Sequence, residues 1–149
     1  KNSKRIKNKN IKIFNGKPMI YWALFKLRKL KIIEKIIVTS DSKLTLKIAD
    51  KYKADICIKR PARLSTGTTT TKEVIVHSIN YLKKKKIFPK LVLCVYPCTP
   101  FLKFSDINKA INLISYTTKA PHLFQCEVLV MLLVIVSSFF QLFRTHLSL

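Results

Sequence analysis

Acidic residues are scarce in this sequence: seven Asp and Glu stand against 29 Lys and Arg in 149 residues, for a formal charge of +22. A surplus of that size admits a polyanion as partner, either a nucleic acid or the phosphates of a nucleotide. It does not require one. The Lys residues from Lys29 to Lys35 and from Lys83 to Lys86 follow the pattern of a composition that uses Lys as its ordinary solvated residue. Aromatics interleaved with cations, as a base-stacking platform needs, are also missing, which argues against a single-strand nucleic-acid binder. The four Cys residues, 57, 94, 98 and 126, have neither the spacing nor the neighbouring His of a zinc site. The first ten residues are polar or charged apart from Ile6, with no apolar stretch behind them. They do not read as a secretory signal, so the expectation is a reducing, cytoplasmic setting with free thiols.

What is present is a hydrophobic content of 48%, ample for one domain with a buried core. Residues 11 to 120 alternate short β-rich runs with longer helical patterns, the mark of a parallel α/β sheet with flanking helices. Gly16-Lys17-Pro18 ends a loop, and Pro18 suits the first turn of a helix with Met19, Ile20, Ala23, Leu24, Leu27 and Leu30 on one face. Lys35 to Thr39 reads as a buried strand followed by Ser40-Asp41-Ser42. A helix is expected from Ser42 to Lys53, with Leu44, Ile48 and Ala49 inward, then a strand from Asp55 to Ile58. Arg60-Pro61 is extended, because proline disfavours a helical residue before it. Thr70 and Glu73 have the spacing of a capping box, opening a helix that carries Val74, Ile75, His77, Ser78, Ile79 and Leu82. Leu91 to Tyr96 is a second buried strand, stopped by Pro97 and Pro100. Ser105 is expected to cap a further helix through Ile114, with Asp106 in its first turn. In such a sheet ligands bind beyond the carboxyl ends of the strands, so the loops near residues 40, 60 and 97 are expected around one site.

From Pro121 onward the Lys and Arg residues fall to Arg144 alone, and Val128 to Val136 is unbroken apolar sequence. A membrane-spanning helix needs roughly 20 mostly apolar residues. Gln125, Glu127, Ser137, Ser138 and Gln141 interrupt this run, so no membrane association is expected. The expectation is a tail, 121–149, that stands outside the fold of residues 1–120, as a shift of reading frame would produce.

The densest chemistry lies at the start, Ser3-Lys4-Arg5-Ile6-Lys7-Asn8-Lys9-Asn10, where cations and hydrogen-bond donors gather before Ile11. A triphosphate needs such groups, because its charge must be neutralised as the bond to the leaving pyrophosphate breaks. Lys4, Lys9 and Asn10 can supply them. A basic terminus without fixed structure accounts for the charge more simply.

This stretch resembles the nucleotide-binding loop of the acylneuraminate cytidylyltransferase family, whose signature runs close to P-A-R-G-G-S-K-R-I-x-N-K-N. The match begins near its Ser, so the family's preceding strand and Arg are not seen, and the expectation is a chain cut at its amino end. The likeness continues through Gly16-Lys17-Pro18-Met19-Ile20, Thr39-Ser40-Asp41-Ser42 and Arg60-Pro61-Ala62-Arg63-Leu64-Ser65. It then takes in Thr69, Thr71 and His77, and Tyr96-Pro97-Cys98-Thr99-Pro100-Phe101-Leu102. The resemblance implies a Rossmann-like nucleotidyltransferase fold lacking its first strand and its C-terminal part. It implies catalytic roles for Lys4 and Lys9, and nucleotide binding by Ser3, Asn10, Arg60, Thr69, Thr71, Tyr96 and Thr99. Arg60 would sit by the cytosine, where its rigid cationic fork suits base-edge acceptors; a solvated Arg held by Pro61 is the plainer alternative. The Thr hydroxyls have helix capping as theirs, and Tyr96 and Thr99 have strand termination. His77 is read as a packed helix residue without a catalytic role.

The implied reaction is attack by the anomeric hydroxyl of a nonulosonic acid on the α-phosphate of CTP, with Mg²⁺ assistance, giving a CMP-sugar and pyrophosphate. The Tyr-Pro-Cys-Thr-Pro-Phe-Leu stretch resembles the pseudaminic-acid branch more than the N-acetylneuraminate branch, which tends to carry Gln-Pro-Thr-Ser-Pro. Intact family members are expected to be homodimers. Two departures stand out. Thr66 and Gly67 replace the acidic residues that usually follow the Leu-Ser step, and the tail after residue 120 matches neither the family's metal-binding aspartates nor its sugar-binding, dimer-forming region. An inactive fragment is therefore a competing expectation, and no residue of this chain is expected to bind the metal.

Overall fold

The computed structural model describes residues 8–89, 91–99, 101, 103–109, 128–133 and 141–144, the last two stretches as backbone strands. The chain opens on a 3-10 turn, Lys9–Ile11, and a short hairpin in which β1, Ile13–Phe14, pairs antiparallel with β2, Lys17–Pro18. Asn15 and Gly16 form the two-residue loop with φ of 46° and 73°, the left-handed pair that a type I′ turn requires and that Asn-Gly adopts most readily. The sequence reading took this segment for the end of a loop; the pairing of its flanks makes it a hairpin. Trp22 Nε1 donates to the Phe14 carbonyl at 2.9 Å and fastens the hairpin to the helix behind it.

That helix, α1, runs Met19–Arg28 with Pro18 as its N-cap and buries Ile20, Ala23, Leu24 and Leu27. Their spacing of three and four residues places all of them on one stripe. Strand β3, Ile33–Ser40, follows, then α2, Lys43–Lys51, and β4, Ile56–Lys59. Ser42 caps α2 by accepting from the Thr45 amide at 3.2 Å. The inward face of α2 is made by Thr45 and Ala49, while Leu44, expected inside, is 54% exposed. The cap sets the phase of the first turn, and the i to i+4 stripe that faces the sheet then begins one residue later.

Helix α3, Thr71–Lys84, starts on the expected capping box: Thr70 Oγ1 accepts from the Glu73 amide, and Glu73 accepts from the Thr70 amide. Strand β5, Leu91–Val95, is buried along its whole length. Residues 104–109 are helical, with Ser105 inside the first turn and not at its cap. The part of this helix expected beyond residue 109 lies outside the described residues.

The main sheet has the order β4-β3-β6-β5-β7, where β6 is Val128–Leu133 and β7 is Gln141–Arg144. Pairing is parallel between β3 and β4, β3 and β6, and β5 and β6, while β7 joins β5 antiparallel. Two apolar clusters form, one on each face. Ile36 and Val38 of β3 join Leu91, Leu93 and Val95 of β5 under α1 and Ala49 of α2. Ile37, Val92 and Cys94, the alternate residues of the same strands, join Ile58 under Val74, Ile75 and Leu82 of α3. Burial on both faces is what continuous apolar strands require in a parallel sheet. This is the expected α/β architecture, three layers deep.

Residues 121–149 were expected outside the fold; of these, the described Val128–Leu133 and Gln141–Arg144 stand in the sheet as β6 and β7. Val128–Leu133 pairs on both sides, with Val38 opposite Leu132 and Val95 opposite Leu132 in the two registers. It fills the place that strand 1 holds in a doubly wound sheet of order 3-2-1-4. The physical reason lies in its neighbours. Each of β3 and β5 presents a row of amides and carbonyls toward this gap, and an extended apolar segment satisfies both rows at once.

Candidate active site at the carboxyl edge of the sheet

The loops that leave β3, β4 and β5 lie at the carboxyl edge of the sheet, since these strands run parallel, and open parallel sheets bind ligands there. Arg60 follows β4 directly, and its amide donates to the Ser40 carbonyl at 2.9 Å, continuing the β3–β4 ladder by one step. Its side chain is buried, with the residue only 3% exposed. Nε donates to Ser65 Oγ at 3.2 Å, and Nη2 lies 3.5 Å from Asp41 Oδ1. Ser65 Oγ donates in turn to the Pro61 carbonyl at 3.1 Å. The guanidinium is thus oriented by two side chains from two loops, which sets aside the alternative of a solvated Arg. Burial pulls its pKa down and Asp41 pulls it back up; an Arg so placed remains a cation at neutral pH. On Asp41 burial acts upward, but neighbouring positive charge, Arg60 included, and a bond from its own backbone hold the carboxyl below its usual range.

The second group centres on Tyr96, which directly follows β5 and is 3% exposed. Its hydroxyl lies 3.0 Å from Thr71 Oγ1, in the first turn of α3. Thr99 Oγ1 donates to the Tyr96 carbonyl at 2.7 Å, closing the turn that ends the strand. This contact terminates the strand. Thr69 stands just before α3, its hydroxyl 2.8 Å from that of Thr66 and 3.5 Å from the Arg63 carbonyl. Thr66, counted as a departure from the family pattern, therefore serves to hold Thr69.

Lys9 and Asn10 lie half-buried on the opening 3-10 turn. The turn starts at Asn8, whose φ of 55° puts it in the left-handed region that Asn tolerates. Asn8 O accepts from the Ile11 and Lys12 amides at 3.0 and 3.1 Å. Asn10 Oδ1 accepts from Cys98 Sγ at 3.0 Å, across 88 residues of sequence. The turn is thereby joined to the loop after β5. Ser3 and Lys4, the other two members of the expected nucleotide loop, lie outside the described residues.

Sequence reasoning did not single out Asp41, Ser65 and Cys98 as site residues, although each holds one that it did. The signal for Asp41 was its position directly after a buried strand. Cys98 had no signal of its own, because its partner is remote in sequence. Among the described residues no group of three His, Cys, Asp or Glu side chains could hold a metal ion. Asp41, the acid at this edge, is paired with Arg60.

His77 takes no part in this edge. It lines a groove of about 810 Å³ on the outer face of α3 with Arg63, Lys72, Glu73, Val76, Asn80 and Lys84. Burial, then the charges of Arg63 and Arg60, lower its pKa, so the ring is neutral near pH 7. No helix among the described residues is long and apolar enough to cross a membrane.

Known proteins resemble this chain over most of its length. The chain is 30% identical over 125 residues to a Helicobacter pylori protein named pseudaminic acid cytidylyltransferase and UDP-2,4-diacetamido-2,4,6-trideoxy-beta-L-altropyranose hydrolase, covering 84% of this chain and 24% of that one. It is 28% identical over 118 residues to the CMP-N,N'-diacetyllegionaminic acid synthase of Legionella pneumophila, covering 79% and 51%. It is 30% identical over 126 residues to the N-acylneuraminate cytidylyltransferase of Escherichia coli, covering 85% and 28%. The chain thus spans about half or less of the length of these relatives. The sequence model described as Cytidylyltransferase matches residues 1–138, a span that takes in the opening turn, every loop of the carboxyl edge and β6. On that match, this chain belongs to the cytidylyltransferase family.

Proposed function

We propose that this chain forms the nucleotide-binding part of an enzyme that transfers CMP from CTP to a nine-carbon nonulosonic acid, with release of pyrophosphate. The observation that carries the reading is the carboxyl edge of a family member: a buried, oriented guanidinium and a tyrosine–threonine hydroxyl pair stand at the end where parallel sheets bind ligands, and a basic turn is bonded to the loop after β5. Arg60, fixed by Asp41 and Ser65, is suited to the acceptor edge of cytosine. Thr69, Thr71, Tyr96 and Thr99 would border the base and sugar. Lys9 and Asn10, with Ser3 and Lys4, would meet the triphosphate, where cations stabilise charge as pyrophosphate departs. Catalysis then rests mainly on positioning.

Pseudaminic acid is the proposed acceptor, on the Tyr96 to Leu102 stretch and on the printed name of the H. pylori relative. N-acetylneuraminic acid is the second, on the name of the E. coli relative. A cytoplasmic location, where CTP is available, and a homodimer in the intact enzyme go with this reading.

The test is pyrophosphate release on mixing the chain with CTP and either sugar, alongside calorimetric titration with CTP and with ATP. Binding of CTP at least tenfold tighter than ATP supports the assignment of Arg60 and Tyr96. Nucleotide binding without turnover would mark the chain as an inactive fragment. Equal, salt-sensitive binding of CTP, ATP and arbitrary oligonucleotides would instead favour a general polyanion surface.

A further inference from the structure

Two segments far apart in sequence touch at two points beside the carboxyl edge. Cys98 Sγ donates to Asn10 Oδ1 at 3.0 Å, and the Phe14 and Phe101 rings meet edge-on with centroids 6.2 Å apart. One contact is polar and specific, and the other is apolar and packs the flank. The polar one has a direction. An Asn side chain has one acceptor oxygen and one NH₂ group with two donors. A thiol that donates to Oδ1 commits the oxygen to the loop after β5 and turns the NH₂ away from it.

We propose that Cys98 is a positioning residue for the opening turn: its thiol selects the orientation of the Asn10 amide that presents N–H donors to the phosphates of a bound nucleotide. This rests on the proposed function for the identity of the ligand. The same bond steadies Lys9, which stands next in the turn. A hydrogen-bond acceptor at position 98 would do the opposite, drawing the NH₂ group to itself and turning the oxygen toward the phosphates, where like partial charges repel. Cys98 is kept a donor by its surroundings. Burial raises its pKa, and Lys9 lowers it by less, so the thiol stays protonated at neutral pH.

The experiment compares the parent chain with Cys98→Ser, Cys98→Ala, Asn10→Ala and the double variant Cys98→Ala/Asn10→Ala. Hydrogen–deuterium exchange is read on peptides covering residues 8–12, with β3 as internal control, and CTP affinity by calorimetry. In Cys98→Ala, residues 8–12 are expected to exchange faster while β3 is unchanged, and CTP to bind about fivefold more weakly, the size of one lost hydrogen bond. Cys98→Ser, which keeps a donor, is expected to restore both. The double variant is expected to bind CTP no more weakly than Asn10→Ala alone, because both changes remove one contact. Exchange at the parental rate in Cys98→Ala, or losses that multiply in the double variant, would overturn the proposal. If the parent binds no CTP, the functional reading fails and takes the phosphate-facing role with it. The exchange comparison then still decides whether Cys98 orders the turn, so the two failures are distinguishable.

Discussion

The Tyr96 hydroxyl and the Thr71 hydroxyl lie 3.0 Å apart, 25 residues distant in sequence, and this contact joins the end of a central strand to the start of α3. Tyr96 is buried, so its hydroxyl depends on a protein partner to offset lost hydration. Replacing Tyr96 by Phe, or Thr71 by Val, is expected to cost about 0.5–1.5 kcal/mol each. The double variant should cost less than the sum, because the bond the two hydroxyls share is lost only once. Urea midpoints of the four proteins measure this coupling; strict additivity would show that the two hydroxyls do not interact.

Asp41 makes a pH-dependent contribution to stability, with Arg60 among the groups that favour its ionised form. The Asp41 carboxyl is held below its usual range, so the folded state favours its ionised form more than the unfolded chain does. Its contribution is present above the unfolded pKa of about 3.9 and is lost as pH falls through the lower, folded value. The Asp41 side chain is 40% exposed, so solvent screening keeps the effect to about 1 kcal/mol. Asp41→Asn is expected to lower stability at pH 7 and to flatten the stability profile below pH 4. Parallel profiles for the two proteins in that range would contradict this.

Thr70 caps α3 through the Glu73 amide at 3.2 Å. Thr70→Ala is expected to cost about 1 kcal/mol of stability, while Thr70→Ser should be nearly silent. Since α3 carries Thr71 and borders Thr69, the Ala variant should also weaken nucleotide binding more than its small loss of stability accounts for. Melting temperature and CTP affinity, measured on the same samples, separate the two effects.

Strand β6 makes a prediction about chain length. A version ending at residue 120 would leave β3 and β5 without the strand they share, exposing two rows of backbone groups and the apolar edges beside them. It is expected to lose cooperative thermal unfolding and to bind a hydrophobic dye, as chains with incomplete tertiary packing do. A truncated chain that melts as sharply as the whole would show that the segment adds nothing to the fold.

Much of the fold was legible because it is local. The capping box at Thr70 and Glu73 and the apolar stripe of α1 are set by residues three or four apart, and β5 by a short apolar run bounded by prolines. Leu44 was misread because a one-residue change in helix phase turns a side chain from core to solvent, and only packing against the sheet decides that phase. The place of Val128–Leu133 in the sheet was not legible in a composition that differs so sharply from what precedes residue 121. Composition says nothing of whether two distant strands leave a place between them.

Arg60, Tyr96, Thr71 and Asn10 could be named as candidates because the stretches that hold them resemble a family pattern, and residue types and their order along the chain are properties of the sequence. What holds them was decided only in three dimensions. Asp41 and Ser65 reach Arg60 from separate loops, and Cys98 reaches Asn10 across 88 residues. Sequence determined which groups could bind and in which local elements they stand, because helix caps, turns and periodicity act over a few residues. Orientation of a guanidinium or an amide depends on partners brought close by the sheet, and their positions follow from strand order rather than from neighbours in the chain.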